Sequence, residues 1–265
     1  MPNFSIIYIN PFKINIIAIL TTNKLKPDWA GKDLLSRLVN LLIQTKPIYG
    51  LMKSQARQVL IKTAEKNGIP WRKNYQQLEQ SDAKKIYKAI ANPDLVYPDY
   101  YQVPFHAYEQ GNLCWKAAFE AASATYSMGL RVWKQENLSW ETAQHRLRHS
   151  FHQVLEQYSP REVTDILDLG CSVGISTLAL HRYYSARQNK PIRTIGLDLS
   201  PYMLSVAKIG DKNREIAQWL HGLAESTGLP DNSLDVVTLQ FVIHELPRQA
   251  TTAIFQEVLR LSLIH

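Results

Sequence analysis

From Ser159-Pro160 onward the chain alternates short β-branched runs with helical stretches, and that alternation limits the fold more than any other feature. "TDILDL" reads as a strand followed by a helix in "GISTLALHRYYSAR". "IRTIGLDL" is followed by a helix in "SPYMLSVAKIGDKNR". "AQWLHGLA" and "LDVVTLQFV" read as a third and fourth strand, and "ELPRQATTAIFQEVLRL" as a closing helix. Strands separated by helices at this spacing predict a parallel sheet wrapped by helices, hence an α/β fold. The preceding part shows no convincing strand. Helices are expected at Lys32–Thr45, Leu51–Lys66, Ser81–Ala91, about 109–134 and 139–158. Pro47 separates the first two, and Ser81 and Ser139 act as caps. The predicted organisation is an uncertain N-terminal extension over 1–30, an all-α region and possible lid over 31–158, and a sheet domain over 159–265.

In a doubly wound sheet, ligands bind beyond the carboxyl ends of the strands. Here the first strand runs into "DLGCSVGIST", where Gly170 ends the strand and Gly174 follows four residues on. A side chain at Gly170 would oppose both a sharp turn and a close ligand. A P-loop is excluded because Ile175-Ser176-Thr177 offers no lysine. The G-x-G-x-x-G fingerprint is matched poorly, with Ser172 and Ile175 at its second and third glycine positions. The reading left is a turn for a nucleoside that carries a charged amino-acid tail. Asp198 closes the second strand, where a carboxylate can accept hydrogen bonds from two vicinal ribose hydroxyls. Its alternative role is a helix cap, which Ser200 already fills.

"ILDLGCSVGIST", "GLDLSPYMLSVAK" and "LPDNSLDVVTLQFVIHEL", in this order, resemble the class I S-adenosylmethionine-dependent methyltransferases, and most closely their type-11 group, which contains the ubiquinone and menaquinone methyltransferases. The likeness covers roughly 159–261. The aromatic stretch before Ala124 resembles the helical front end of related methyltransferases of photosynthetic lineages. The resemblance implies a Rossmann-like methyltransferase sheet in the order 3-2-1-4, with S-adenosylmethionine as cofactor. It implies that Gly170, Cys171, Ser172 and Gly174 pass the methionine portion over the loop. Asp168 would orient the ammonium through water, and Asp198 would hold the ribose. Leu199 and Met203 would flank the adenine, Ala224 and Glu225 border its edge, and Gln240 and Phe241 lie beside the sulfonium. Ser172 departs from the family's usual glycine. It either costs about 1–2 kcal/mol at a positive φ or gives the cofactor's carboxylate a hydroxyl donor.

Transfer to oxygen or carbon needs a base, and His244 in "FVIHELP" is the candidate, with packing at the next helix as its plainer role. The acceptor expected is a small hydrophobic or aromatic molecule. Tyr97, Tyr100, Tyr101, Phe105, His106, Tyr108 and Trp115 are candidates for a lid, or for simple interdomain packing. Relatives continue past "EVLRLSLIH" to further strands, so a truncated methyltransferase is expected, with an exposed fourth strand open to self-association. A catalytically silent binding module is the alternative.

The net charge of +7 is concentrated in residues 1–80, with 12 Lys and Arg against 4 Asp and Glu. An RNA methyltransferase is therefore a second alternative, although no RNA-binding signature accompanies the charge, so nucleic acid is not the expected partner. The first 20 residues are broken by Asn10-Pro11 and Lys13, too short for a membrane span and unlike a signal peptide. Cys114 and Cys171 have no metal-ligand spacing, and a cytoplasmic setting is expected.

Overall fold

The computed structural model describes residues 46–104 and 108–262. The chain divides into two compact units, Met1–Thr63 and Ala64–His265. The expected extension over 1–30, the helix at Lys32–Thr45, Phe105 and His106 lie outside the described residues. In the first unit the described part is the start of α1, Lys46–Lys66. Pro47, expected to separate two helices, instead lies in the first turn of this one. There its missing N–H has no intrahelical acceptor to lose.

The second unit continues with α2 (Trp71–Glu79), α3 (Ala83–Ile90), α4 (Trp115–Val132) and α5 (Trp140–Glu156). The α2 helix went unread in the sequence because Gly68 and Pro70 look like a stop. Pro70 is the N-cap of a new helix. The α4 helix begins later than expected, after Cys114, and Ser81 accepts from the Ala83 N–H while Asp82 holds the cap position of α3. Ser139 caps α5 as expected, its hydroxyl accepting from the Thr142 N–H at 3.2 Å.

The α/β part follows as β1 (Asp165–Leu169), α6 (Ile175–Ser185), β2 (Arg193–Asp198), α7 (Pro201–Gly210), β3 (Gln218–His221), β4 (Val236–Leu239) and α8 (Arg248–Leu261). All four strands are parallel, in the order β3-β2-β1-β4, with Asp168 opposite Gly196 and Thr238, and Asp198 opposite His221. This is the order that the family resemblance implies. Side chains alternate across the pleat. Leu167, Leu169, Ile195 and Leu197 join Ile254 and Leu261 of α8 in one core, while Ile166 and Val236 pack with Leu180 and Tyr184 of α6 on the other face. Asp168 shares the second face, which brings it to the start of α6.

The helical front end packs on α7. Ala83 of α3 and Ala117, Ala118 and Phe119 of α4 meet Met203 and Val206, with Val173 of the glycine turn in the same cluster. Among the described residues no helix is long and apolar enough to cross a membrane, and no group of three potential metal ligands occurs.

Candidate active site at the carboxyl edge of the sheet

After Leu169 the backbone turns through three left-handed residues, Gly170 (φ +68°), Ser172 (φ +50°) and Gly174 (φ +76°). The turn is tied to β2 by its own amides: the Cys171 N–H donates to the Leu197 carbonyl at 3.0 Å and the Ser172 N–H to Asp198 Oδ2 at 2.7 Å. Gly174 is the N-cap of α6 and provides no side-chain cap. The two glycines are required for packing as well as for any ligand. A Cβ at Gly170 would meet Val242 at 2.4 Å, and one at Gly174 would meet the Trp219 ring at 2.5 Å. Val242 comes from the loop after β4, whereas Trp219 packs beneath the turn. Ser172 keeps the positive φ that the sequence made a concern, and its hydroxyl lies 3.7 Å from Met203 Sδ.

Asp198 closes β2 and is buried. Its Oδ1 accepts from the Ser200 N–H and its Oδ2 from the Ser172 N–H, both at 2.7 Å. Burial nevertheless outweighs these bonds and pushes its pKa up to about 6. Ser200 caps α7 independently, accepting from the Met203 N–H and donating to the Asn112 carbonyl. Each Asp198 oxygen keeps a lone pair for a further donor. Asp168 is fully buried between two hydroxyls, Thr177 donating to Oδ2 and Thr238 to Oδ1, each at 2.7 Å. Burial raises its pKa against the pull of these bonds and of Arg148.

The remaining residues singled out in the sequence fall into three settings. Cys171 is buried and its thiol pKa is raised by burial and by the Asp198 and Asp168 charges, which makes it a packed residue. Leu199 and Met203 are buried beside the β2–α7 junction, Met203 within the core shared with α3 and α4. Ala224, Glu225 and Gln240 follow β3 and β4. Ala224 packs on the α8 core, Glu225 accepts a hydrogen bond from the Tyr100 hydroxyl, and Gln240 Oε1 accepts from Arg148 Nη1 at 3.1 Å. His244 lies in a short 3-10 turn, Ile243–Glu245, and its side chain is 63% exposed. Its neighbour Glu245 is the more enclosed, with a pKa raised to about 7 by burial and then by the Asp198 charge.

Part of the tyrosine-rich segment does reach this edge. Tyr97 hydroxyl meets His221 Nε2 at 3.1 Å, and the Asn92 N–H donates to His221 Nδ1 at 2.8 Å. Tyr97 and Tyr101 stack with centroids 6.4 Å apart. The Tyr101 pKa is raised by burial and then by the Asp198 and Glu245 charges. Tyr108 and Trp115 belong elsewhere. Tyr108 donates to Glu120 and Trp115 stacks on Phe119, within the helical layer.

Residues the sequence reading missed include Thr177 and Thr238, which depend on strand register, and Arg148. Gln144, Arg148 and His152, spaced four residues apart, form a polar stripe along α5, and all three are buried. That periodicity was visible in "QHRLRHSFH", but nothing in it says which face is covered.

Residues 167–262 match the type-11 methyltransferase domain. A demethylmenaquinone methyltransferase of Staphylococcus aureus is 31% identical over 94 residues, covering 36% of this chain and 37% of that protein. The chain thus spans a little over a third of that curated relative's length. Among solved structures, the PH0226 protein of Pyrococcus horikoshii OT3 is 25% identical over 44% of this chain and 50% of that one, with a TM-score of 0.37. A SAM-dependent methyltransferase of Leishmania major is 15% identical over 68% and 64%, with a TM-score of 0.44. At such scores the fold rests on the sheet order itself.

Proposed function

We propose that the chain, whose residues 167–262 match a methyltransferase domain, is a class I S-adenosylmethionine-dependent methyltransferase of the type-11 group acting on a small apolar acceptor. One observation carries the reading: the left-handed glycine turn after β1 and the carboxylate ending β2 are joined directly, Ser172 N–H to Asp198 Oδ2. Turn and acid therefore border a single crevice. The residues fit the cofactor, because Asp198 retains acceptor capacity and Gln240 Nε2 is a buried donor without a partner. Bound there, S-adenosylmethionine supplies a methyl group on a sulfonium, open to in-line attack.

In this reading Asp198 holds the ribose hydroxyls and the backbone of 170–174 carries the methionine portion. Tyr97 and Tyr101 cover the crevice and keep water out. The named substrate of the Staphylococcus aureus relative supports an aromatic or quinone-like acceptor methylated at oxygen or carbon. Such an acceptor gives up a proton. Glu245 is better suited to take it than the outward His244, because its pKa near 7 lies close to working pH.

Titration calorimetry with S-adenosylhomocysteine tests the reading. Binding is expected in the wild type and a loss of at least about tenfold in Asp198→Ala, as for a charge-assisted bond. Independently of any variant, affinity should fall below pH about 6 as Asp198 takes up its proton. No heat with the wild type, or an undiminished signal in Asp198→Ala, refutes it.

A further inference from the structure

We infer that Phe241 is the platform on which the ring of an electron-rich phenol stacks, an inference that rests on the methyltransferase reading and narrows its acceptor class. Among the described residues, four other than glycine have a positive φ: Ser172, Arg214, Asn232 and Phe241. Phe241, at φ +60°, is the apolar one of the four. For so bulky a side chain this backbone region is an outlier. The neighbours explain the backbone but not the side chain. On one side Gln240 Oε1 accepts from Arg148 Nη1 at 3.1 Å. On the other, Val242 lies over Gly170, its Cγ2 2.4 Å from where a Cβ would stand. Phe241 is the joint between these two contacts, and glycine would make that joint without steric cost. Burial does not account for the ring either, because the residue is 42% exposed. A residue that strains the backbone and leaves an apolar ring in water points to a contact outside the chain.

The setting of the ring specifies that contact. Phe241 stands just past β4 at the carboxyl edge of the sheet. It is joined to the glycine turn through Val242 and precedes Glu245, the proton acceptor named above, by one turn of chain. The Arg148 guanidinium carbon lies over the ring, 5.8 Å from its centroid, within the reach of a cation–π contact. Arg148 is buried, so water does little to weaken its pull on the ring. A cation on one face of an aromatic ring draws its π density away from the other. The other face then favours an electron-rich ring over an electron-poor one. A phenol or hydroquinone has such a ring and bears the hydroxyl whose proton Glu245 would take. An oxidised quinone has neither, and an aliphatic acceptor has no π face to offer.

The test uses the full chain saturated with S-adenosylhomocysteine and calorimetry with three probes. These are 1-naphthol, its fully saturated analogue decahydro-1-naphthol, and 2,3-dimethyl-1,4-naphthoquinone as an electron-poor ring. The wild type is expected to bind 1-naphthol at least about fivefold more tightly than either of the others, the range for an aromatic pair. In Phe241→Leu the preference over the saturated analogue should vanish, and in Phe241→Tyr it should persist. Ligand-free Phe241→Gly should denature at no lower urea concentration than the wild type, since glycine takes the left-handed region freely. A lower midpoint would show that the ring serves the fold, and would overturn the inference. So would an unchanged preference in Phe241→Leu, or a wild type that binds 1-naphthol no better than the other two probes. The wild-type comparison needs no variant to fold. If S-adenosylhomocysteine itself does not bind, the methyltransferase reading fails; if it binds and 1-naphthol is not preferred, only the role of Phe241 fails.

Discussion

Replacing Gly174 by alanine separates the packing role of the glycine turn from its role toward a ligand. Two costs add. The backbone at φ +76° is left-handed, which penalises a residue with a Cβ by about 1–2 kcal/mol. The new methyl would lie 2.5 Å from Trp219 Cη2, 3.0 Å from Cζ3 and 3.1 Å from Ala207 Cβ. The indole cannot easily yield. Its Cζ3 and Cε3 already lie 2.7 and 2.8 Å from where a Cβ would stand at Gly196, and its N–H points to Asp211 Oδ2 at 3.4 Å. Overpacking of this kind costs about 1–3 kcal/mol. Gly174→Ala should therefore lose about 2–5 kcal/mol in urea denaturation without any ligand. In a Trp219→Ala background the clash is gone, and the same substitution should cost only the backbone part, about 1–2 kcal/mol. Equal costs in both backgrounds, or a loss below about 1 kcal/mol in the wild type, would show that Trp219 does not dictate this glycine.

Ser172→Gly relieves a residue at φ +50° whose hydroxyl makes one weak sulfur contact, so chemical denaturation should show a gain of about 1 kcal/mol; a loss would mean the hydroxyl has a role unseen in its contacts. Glu257 is held down at about 2, first by its hydrogen bonds from Arg260 and then by those from Thr227. Its folded pKa is below the unfolded value, so its contribution is present above pH about 4.5 and is lost as pH falls toward 2. Glu257→Gln should thus cost about 2 kcal/mol at pH 7, partial exposure of Arg260 trimming the value, with the gap to wild type narrowing by pH 3. Equal gaps at both pH values would refute that assignment. Glu245 should titrate near 7 by carbon-detected NMR, and Asp198→Asn should lower that value by removing a neighbouring negative charge. An unmoved titration would separate the two acids.

The strands were legible because a parallel sheet covered on both faces demands continuous apolar runs, and "DILDL" and "RTIGLD" have them. The Ser139 and Ser200 caps were readable for equally local reasons, whereas the strand order came from the family resemblance. Helix limits were less so. Pro47 and Pro70 look like breaks, yet a proline in the first turn or at the N-cap begins a helix as readily as it ends one. At the site, Gly170 and Asp198 were legible by position. The reason for Gly174 was not, since its neighbour Trp219 comes from a strand 45 residues further on.

The sequence by itself determined the parallel α/β sheet, the left-handed turn after its first strand and the acid that ends its second. Each follows from backbone preference and apolar periodicity within a dozen residues. Only the tertiary structure decided which charges are left without partners. It buried Arg148 beside two threonine-bonded oxygens of Asp168, turned His244 outward and enclosed Glu245. Burial and pairing belong to the space between elements, and a linear pattern does not carry the desolvation that makes a charge consequential.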